Sequence, residues 1–146
     1  MKALWICILL LICWGGCQSI PQQKRYPPKI KLVSIGPKIL HSYQDSLEIV
    51  IQYLDKDGDL GENKAGVHNV FVVDSRSRTS SQFRLRQLLQ DSMQVAVKGE
   101  LHILLDAVGL INSEEKVEQV HYEIFIKDRS GHKSNVLKTK AITIVP

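Results

Sequence analysis

The chain has 146 residues, which argues for one folded domain. Its 44% hydrophobic and 23% charged residues exclude an intrinsically disordered chain, and a mean hydropathy near zero excludes a multi-span membrane protein. The net charge of +4 is too small to argue for nucleic acid, and none is expected as a partner.

Residues 1–16 read as a targeting signal. Lys2 is followed by an apolar run over residues 3–14 and then by Gly15, Gly16 and Cys17. The run is shorter than the roughly 20 apolar residues of a spanning helix. Small residues directly before a cysteine resemble the lipobox of bacterial lipoproteins, which implies cleavage before Cys17 and lipidation of its thiol. Trp14 departs from the Leu usual in that motif. Both tryptophans, Trp5 and Trp14, and both other cysteines, Cys7 and Cys13, would leave with the signal. The mature domain then has no disulfide, and its stability rests on an ordinary core, with or without a metal. Residues 17–28 follow as a tether. It is polar, contains Pro21, Pro27 and Pro28, and has no apolar period, so it reads as extended. In lipoproteins of the kind this signal resembles, an acidic run after the cysteine accompanies export to the cell surface; none follows Cys17, so the resemblance implies the periplasmic face of the outer membrane.

Residues 29–146 read as strands, because apolar side chains recur at every second position and no helical period is sustained. Ile30 and Leu32 lie in a first short strand, ended by Gly36 and Pro37. Leu47, Ile49, Ile51 and Tyr53 share one face of a second, with Glu48 and Gln52 opposite. Further strands are expected over residues 67–73, 82–88 and 95–106, the last with Leu101, Ile103 and Leu105 inward. The clearest alternation is Val120, Tyr122, Ile124 and Ile126 within residues 117–127. Residues 137–145 close the chain, and residues 85–90 and 110–116 leave room for a helical turn. About seven strands with polar turns predict an all-β, antiparallel β-sandwich of immunoglobulin-like type.

The segment 122–135, YEIFIKDRSGHKSN, is similar to the penultimate hairpin of bacterial immunoglobulin-like and fibronectin-type modules. Most of residues 30–146 resembles small Bacteroidetes-type lipoproteins of unknown function with an immunoglobulin-like fold, which carry an acidic loop after an early strand. The resemblance implies a membrane-anchored, non-catalytic module. It implies no antibody-type domain, since the core Trp and the cysteine pair are missing.

Three constellations carry chemistry. In residues 55–63, DKDGDLGEN, Asp55, Asp57 and Asp59 alternate, so their carboxylates can curl round one hard cation. The Gly61 carbonyl and the Asn63 amide would add oxygens, with Ca²⁺ as the expected ion. Leu60 stands where an EF-hand needs its turn glycine and Gly66 where it needs its bidentate Glu, so the loop is not an EF-hand. A solvated turn uses the same residue types. Second, Glu100 and His102 share one side of a strand, as do His121 and Glu123. If those strands paired, the four would form a zinc-compatible set and support the alternative function, a small metal-dependent hydrolase. A wet sheet face with cross-strand charge pairs is the simpler account of them, since four ligands on a flat face seldom reach tetrahedral geometry. Third, Arg76, Arg78, Arg84 and Arg86 are forks suited to carboxylate, sulfate or phosphate, or charges that guard an edge strand. No nucleophile elbow, zincin motif, phosphate loop or dinucleotide fingerprint is present, and no catalytic residue is assigned. The expectation is a monomeric, lipid-anchored envelope protein that binds or scaffolds, with a protein or glycan partner.

Overall fold

The computed structural model describes residues 26–146. The signal segment, Cys17 and most of the tether lie outside the described residues. Within them the chain is all-β and contains no helix, so neither 85–90 nor 110–116 forms a helical turn.

Ten strands form three sheets. β1 (Lys29–Gly36), β3 (Leu47–Asp55) and β6 (Val97–Leu105) make one, in the order β1-β3-β6. β4 (Val70–Asp74), β5 (Ser80–Phe83), β8 (Tyr122–Ile126) and β9 (Leu137–Lys138) make a second, in the order β5-β4-β8-β9. β2 (Ile39–His41), β7 (Glu118–Val120) and β10 (Ile142–Val145) make a third, in the order β2-β10-β7. Every pairing is antiparallel except that of β10 with β2.

The excess over seven strands has a local cause. The expected strand at 117–127 forms, but it changes partners at His121. Val120 pairs with Ile142 on β10, whereas Tyr122 pairs with Asp74 on β4. The final strand divides in the same way at Thr139, whose hydroxyl accepts the Tyr122 N–H at 2.9 Å in place of a ladder carbonyl. β2 lies in a stretch that the alternation pattern does not mark, and its parallel partners are 104 positions away in the chain, for example Ile144 against Leu40.

The inward residues follow the alternation. Leu47, Ile49, Ile51 and Tyr53 are buried, as are Val120, Tyr122, Ile124, Ile126, Ile103 and Leu105. They join Val70, Val72, Ile142 and Ile144 in one core drawn from all three sheets, a sandwich-like arrangement. A side-chain amide helps close it: Asn135 Oδ1 accepts the Ile30 N–H at 2.9 Å and its Nδ2 donates to the Ile30 carbonyl at 3.0 Å. Asn135 thereby ties β1 of the first sheet to the turn after β8 of the second, satisfying a strand-edge residue as a neighbouring strand would.

Candidate metal centre

β3 ends on Asp55, and the acidic loop begins there. The alternation that buries Leu47, Ile49, Ile51 and Tyr53 carries Asp55 onto the same inward face, and it is 0% exposed. Its Oδ2 accepts the Leu60 N–H at 2.9 Å, which closes the loop onto its own start. Gly58 and Gly61 take φ of 75° and 90°, a conformation open to glycine. They also sit under other chain segments. A Cβ on Gly58 would collide with the Val95 carbonyl, and one on Gly61 with the Arg86 carbonyl. The loop is thus covered by the segment leading into β6.

Its other side rests on the turn after β8. The Ser130 hydroxyl donates to Asp59 Oδ2 at 2.6 Å, and the Arg129 N–H to the Asp59 carbonyl at 3.1 Å. Arg129 Nη1 donates to the Gly61 carbonyl at 3.0 Å. The Tyr26 N–H donates to Asp57 Oδ2 at 3.1 Å, so the end of the tether touches the loop as well.

These bonds use one oxygen of each carboxylate. The Oδ1 atoms of Asp55, Asp57 and Asp59 are buried and have no hydrogen-bond partner among the described residues. One carboxylate oxygen from each aspartate lies within 4.8 Å of the others. Three carboxylates held this close repel one another unless a proton or a cation intervenes. Burial, reinforced by Asp57 and Asp59, pushes Asp55 up to about 7. Burial acts upward on Asp57 too, but proton sharing with Asp55 and the hydrogen bond from the Tyr26 N–H outweigh it and hold Asp57 below the usual carboxylate range. A shared proton is one answer to the crowding, and a metal ion is another. Asp55, Asp57 and Asp59 could hold a metal ion.

The other two residues of the expected ligand set are engaged elsewhere. The Gly61 carbonyl accepts from Arg129, and Asn63 Oδ1 accepts the Gln87 N–H at 3.2 Å. Sequence reasoning missed Arg129 and Ser130, which are distant in the chain and carry no spacing signal. It also missed Asp128, which is buried and feels the charge of Asp59. Burial and then repulsion from Asp59 raise its pKa against the bonds it receives from His132.

The zinc-compatible face does not form. β6 and β8 lie in different sheets, so Glu100 and His102 do not come opposite His121 and Glu123. His102 Nδ1 instead lies 2.9 Å from Glu48 Oε1, across the β3–β6 pair, and Glu123 faces Arg78 at 3.5 Å. The four arginines are also not equivalent. Arg76 gives Nε and Nη2 to Asp74 and Nη1 to Glu118 at 2.6 Å and to the Gly109 carbonyl at 3.1 Å. Its fork is filled from within the protein. Arg78, Arg84 and Arg86 are exposed.

No family model, curated protein or solved structure matches the chain.

Proposed function

We propose that this chain is a lipid-anchored envelope protein whose domain is an immunoglobulin-like module that binds or scaffolds without catalysis, and that Ca²⁺ at Asp55, Asp57 and Asp59 stiffens it. The observation that carries the calcium assignment is the set of three buried Oδ1 atoms on one short loop that have no hydrogen-bond partner among the described residues. Hard oxygen donors without nitrogen or sulfur favour Ca²⁺ over transition metals. The ion would replace the shared proton and join β3 to the loop beyond it; carbonyls or waters would supply its remaining oxygens.

Strand order supports the immunoglobulin-like assignment. β1-β3-β6 and β5-β4-β8-β9 follow the A-B-E and C′-C-F-G orders of such sandwiches. The anchor rests on Gly15, Gly16 and Cys17, and the periplasmic face of the outer membrane on the absence of acidic residues just after Cys17. The hydrolase alternative lost its ligand set when β6 and β8 fell in different sheets.

A thermal melt with Ca²⁺ and then with excess chelator tests the metal. Ca²⁺ at 100 times its dissociation constant adds about 2.7 kcal/mol. For a domain of this size that raises Tm by roughly 8 °C. An unchanged Tm would reduce residues 55–63 to an ordinary turn. Cys17→Ala tests the anchor: the variant should leave the membrane fraction, and its retention there would overturn lipidation.

A further inference from the structure

Away from the acidic loop, a cleft of about 530 Å³ opens between the β4–β5 hairpin and the loops around residues 43 and 106–109. Ligand sites span about 300–1,000 Å³. Its one cationic group, Arg76, is already matched. Asp74 and Arg76 are paired at 2.7 Å, and the rest of the Arg76 fork goes to Glu118 and the Gly109 carbonyl. Asp106 takes the Ser46 hydroxyl on Oδ1 at 2.8 Å and keeps its other oxygen as an acceptor. The cleft therefore offers an anionic ligand no open positive charge.

What it does offer is neutral hydrogen bonding and one flat apolar surface. Tyr122 is 3% exposed and lines the cleft, and its hydroxyl has no partner among the described residues. Burial pushes its pKa up to about 12, so it remains a donor across the physiological range. The Gln82 amide, also in the lining, makes no hydrogen bond within the described residues. Tyr43 is 69% exposed and lines the same cleft. One face of its ring is seated on Gly109, where any Cβ would collide with it. The backbone around it is constrained: Tyr43 and Ala107, both in the lining, have φ of 60° and 53°. Two bonds between their loops hold this conformation, from the Tyr43 N–H to the Val108 carbonyl at 3.0 Å and from the Leu110 N–H to Ser42 Oγ at 3.0 Å. Strain maintained at the rim of a cleft is characteristic of ligand clamps.

We propose that this cleft binds a neutral saccharide, with the apolar face of a pyranose ring on Tyr43 and its hydroxyls bonded to Tyr122, Asp106 and Gln82. An aromatic platform beside uncharged donors and one carboxylate acceptor is the complement of a ring with an apolar face and an equatorial belt of hydroxyls. This assignment rests on the reading of the domain as a binding module, and it names the ligand class.

The test is saturation-transfer NMR on the full chain in detergent, with cellobiose, maltose and N,N′-diacetylchitobiose as probes and inorganic sulfate as the anionic competitor. At least one disaccharide should take up saturation, and sulfate should not displace it. Tyr122→Phe should weaken binding about fivefold, the worth of one neutral hydrogen bond. Tyr43→Ala, at an exposed position, should weaken it at least as much and leave the melt unchanged. No saturation of any disaccharide, displacement by sulfate, or wild-type binding by both variants would overturn the cleft assignment. Such failure leaves the calcium-dependent melt untouched. Conversely, new reducing-end signals in the same spectra would uphold the cleft as a saccharide site and overturn the non-catalytic reading.

Discussion

Asp59 Oδ2 accepts a hydrogen bond from the Ser130 hydroxyl, 71 positions later in the chain, at 2.6 Å. That bond seats the acidic loop on the turn after β8 and leaves Asp59 Oδ1 with Asp55 and Asp57 Oδ1, all three without a hydrogen-bond partner among the described residues. The cluster is therefore assembled by contacts from outside the loop, and its energetics depend on what stands between the carboxylates.

Asp55→Asn separates repulsion from metal binding. The folded pKa of Asp55 is raised to about 7, so the native state holds more protons than the unfolded one between that value and the ordinary carboxylate range. Stability from this group is therefore full in acid and lost as pH rises through about 7. In chelator at about pH 8, Asn removes that cost and should stabilise the protein by about 2 kcal/mol. In saturating Ca²⁺ the sign reverses, and the variant should be the less stable. Urea titrations in both buffers measure this; the same sign in both would discard the metal site.

Arg76 is the main polar clamp between β4, β7 and the loop at Gly109. Its side chain is only 14% exposed. Arg76→Ala leaves Asp74 and Glu118 unpaired and should cost about 3 kcal/mol. Arg76→Lys should recover less than half of that, because an ammonium cannot make the fork. The denaturation midpoint reads both values, and a near-neutral Arg76→Ala would show that the clamp contributes little.

Asp74 sets part of the acid limb. Burial acts to raise its pKa, but the bonds from Arg76 outweigh it, and the net shift is downward. Its stabilisation is complete above the ordinary carboxylate value of about 3.9 and is lost as pH falls through the depressed folded value. Asp74→Asn should make the fall in Tm below about pH 4 shallower than in the parent. Parallel acid limbs would mean that other carboxylates govern it.

Two glycines share a backbone conformation and differ in surroundings. Gly61 and Gly66 have φ of 90° and 77°. A Cβ at Gly66 meets open space, whereas one at Gly61 meets the Arg86 carbonyl. Gly66→Ala should cost about 1 kcal/mol, the left-handed penalty alone. Gly61→Ala should cost at least about 2 kcal/mol, because backbone must also move. Equal costs would show that the cover over the acidic loop yields freely.

The sequence by itself determined the strand character and the inward residues. A two-residue period is local, and burying alternate positions of β3, β6 and β8 follows from it directly. It also determined that Asp55, Asp57 and Asp59 lie at alternate positions beside turn glycines, which is why the three could be named as a cluster. Tertiary structure decided the partners. Which strand lies beside β8 depends on chain segments far from it, so the separation of Glu100 and His102 from His121 and Glu123 had no local signal. The same holds for Arg76, whose carboxylate partners fill the fork that would otherwise meet an external anion. The engagement of Gly61 by Arg129 and of Asn63 by Gln87 arises where two turns and a covering segment meet. Burial completes the candidate site. Spacing can line up three carboxylates, but only packing removes the water that would otherwise satisfy their Oδ1 atoms.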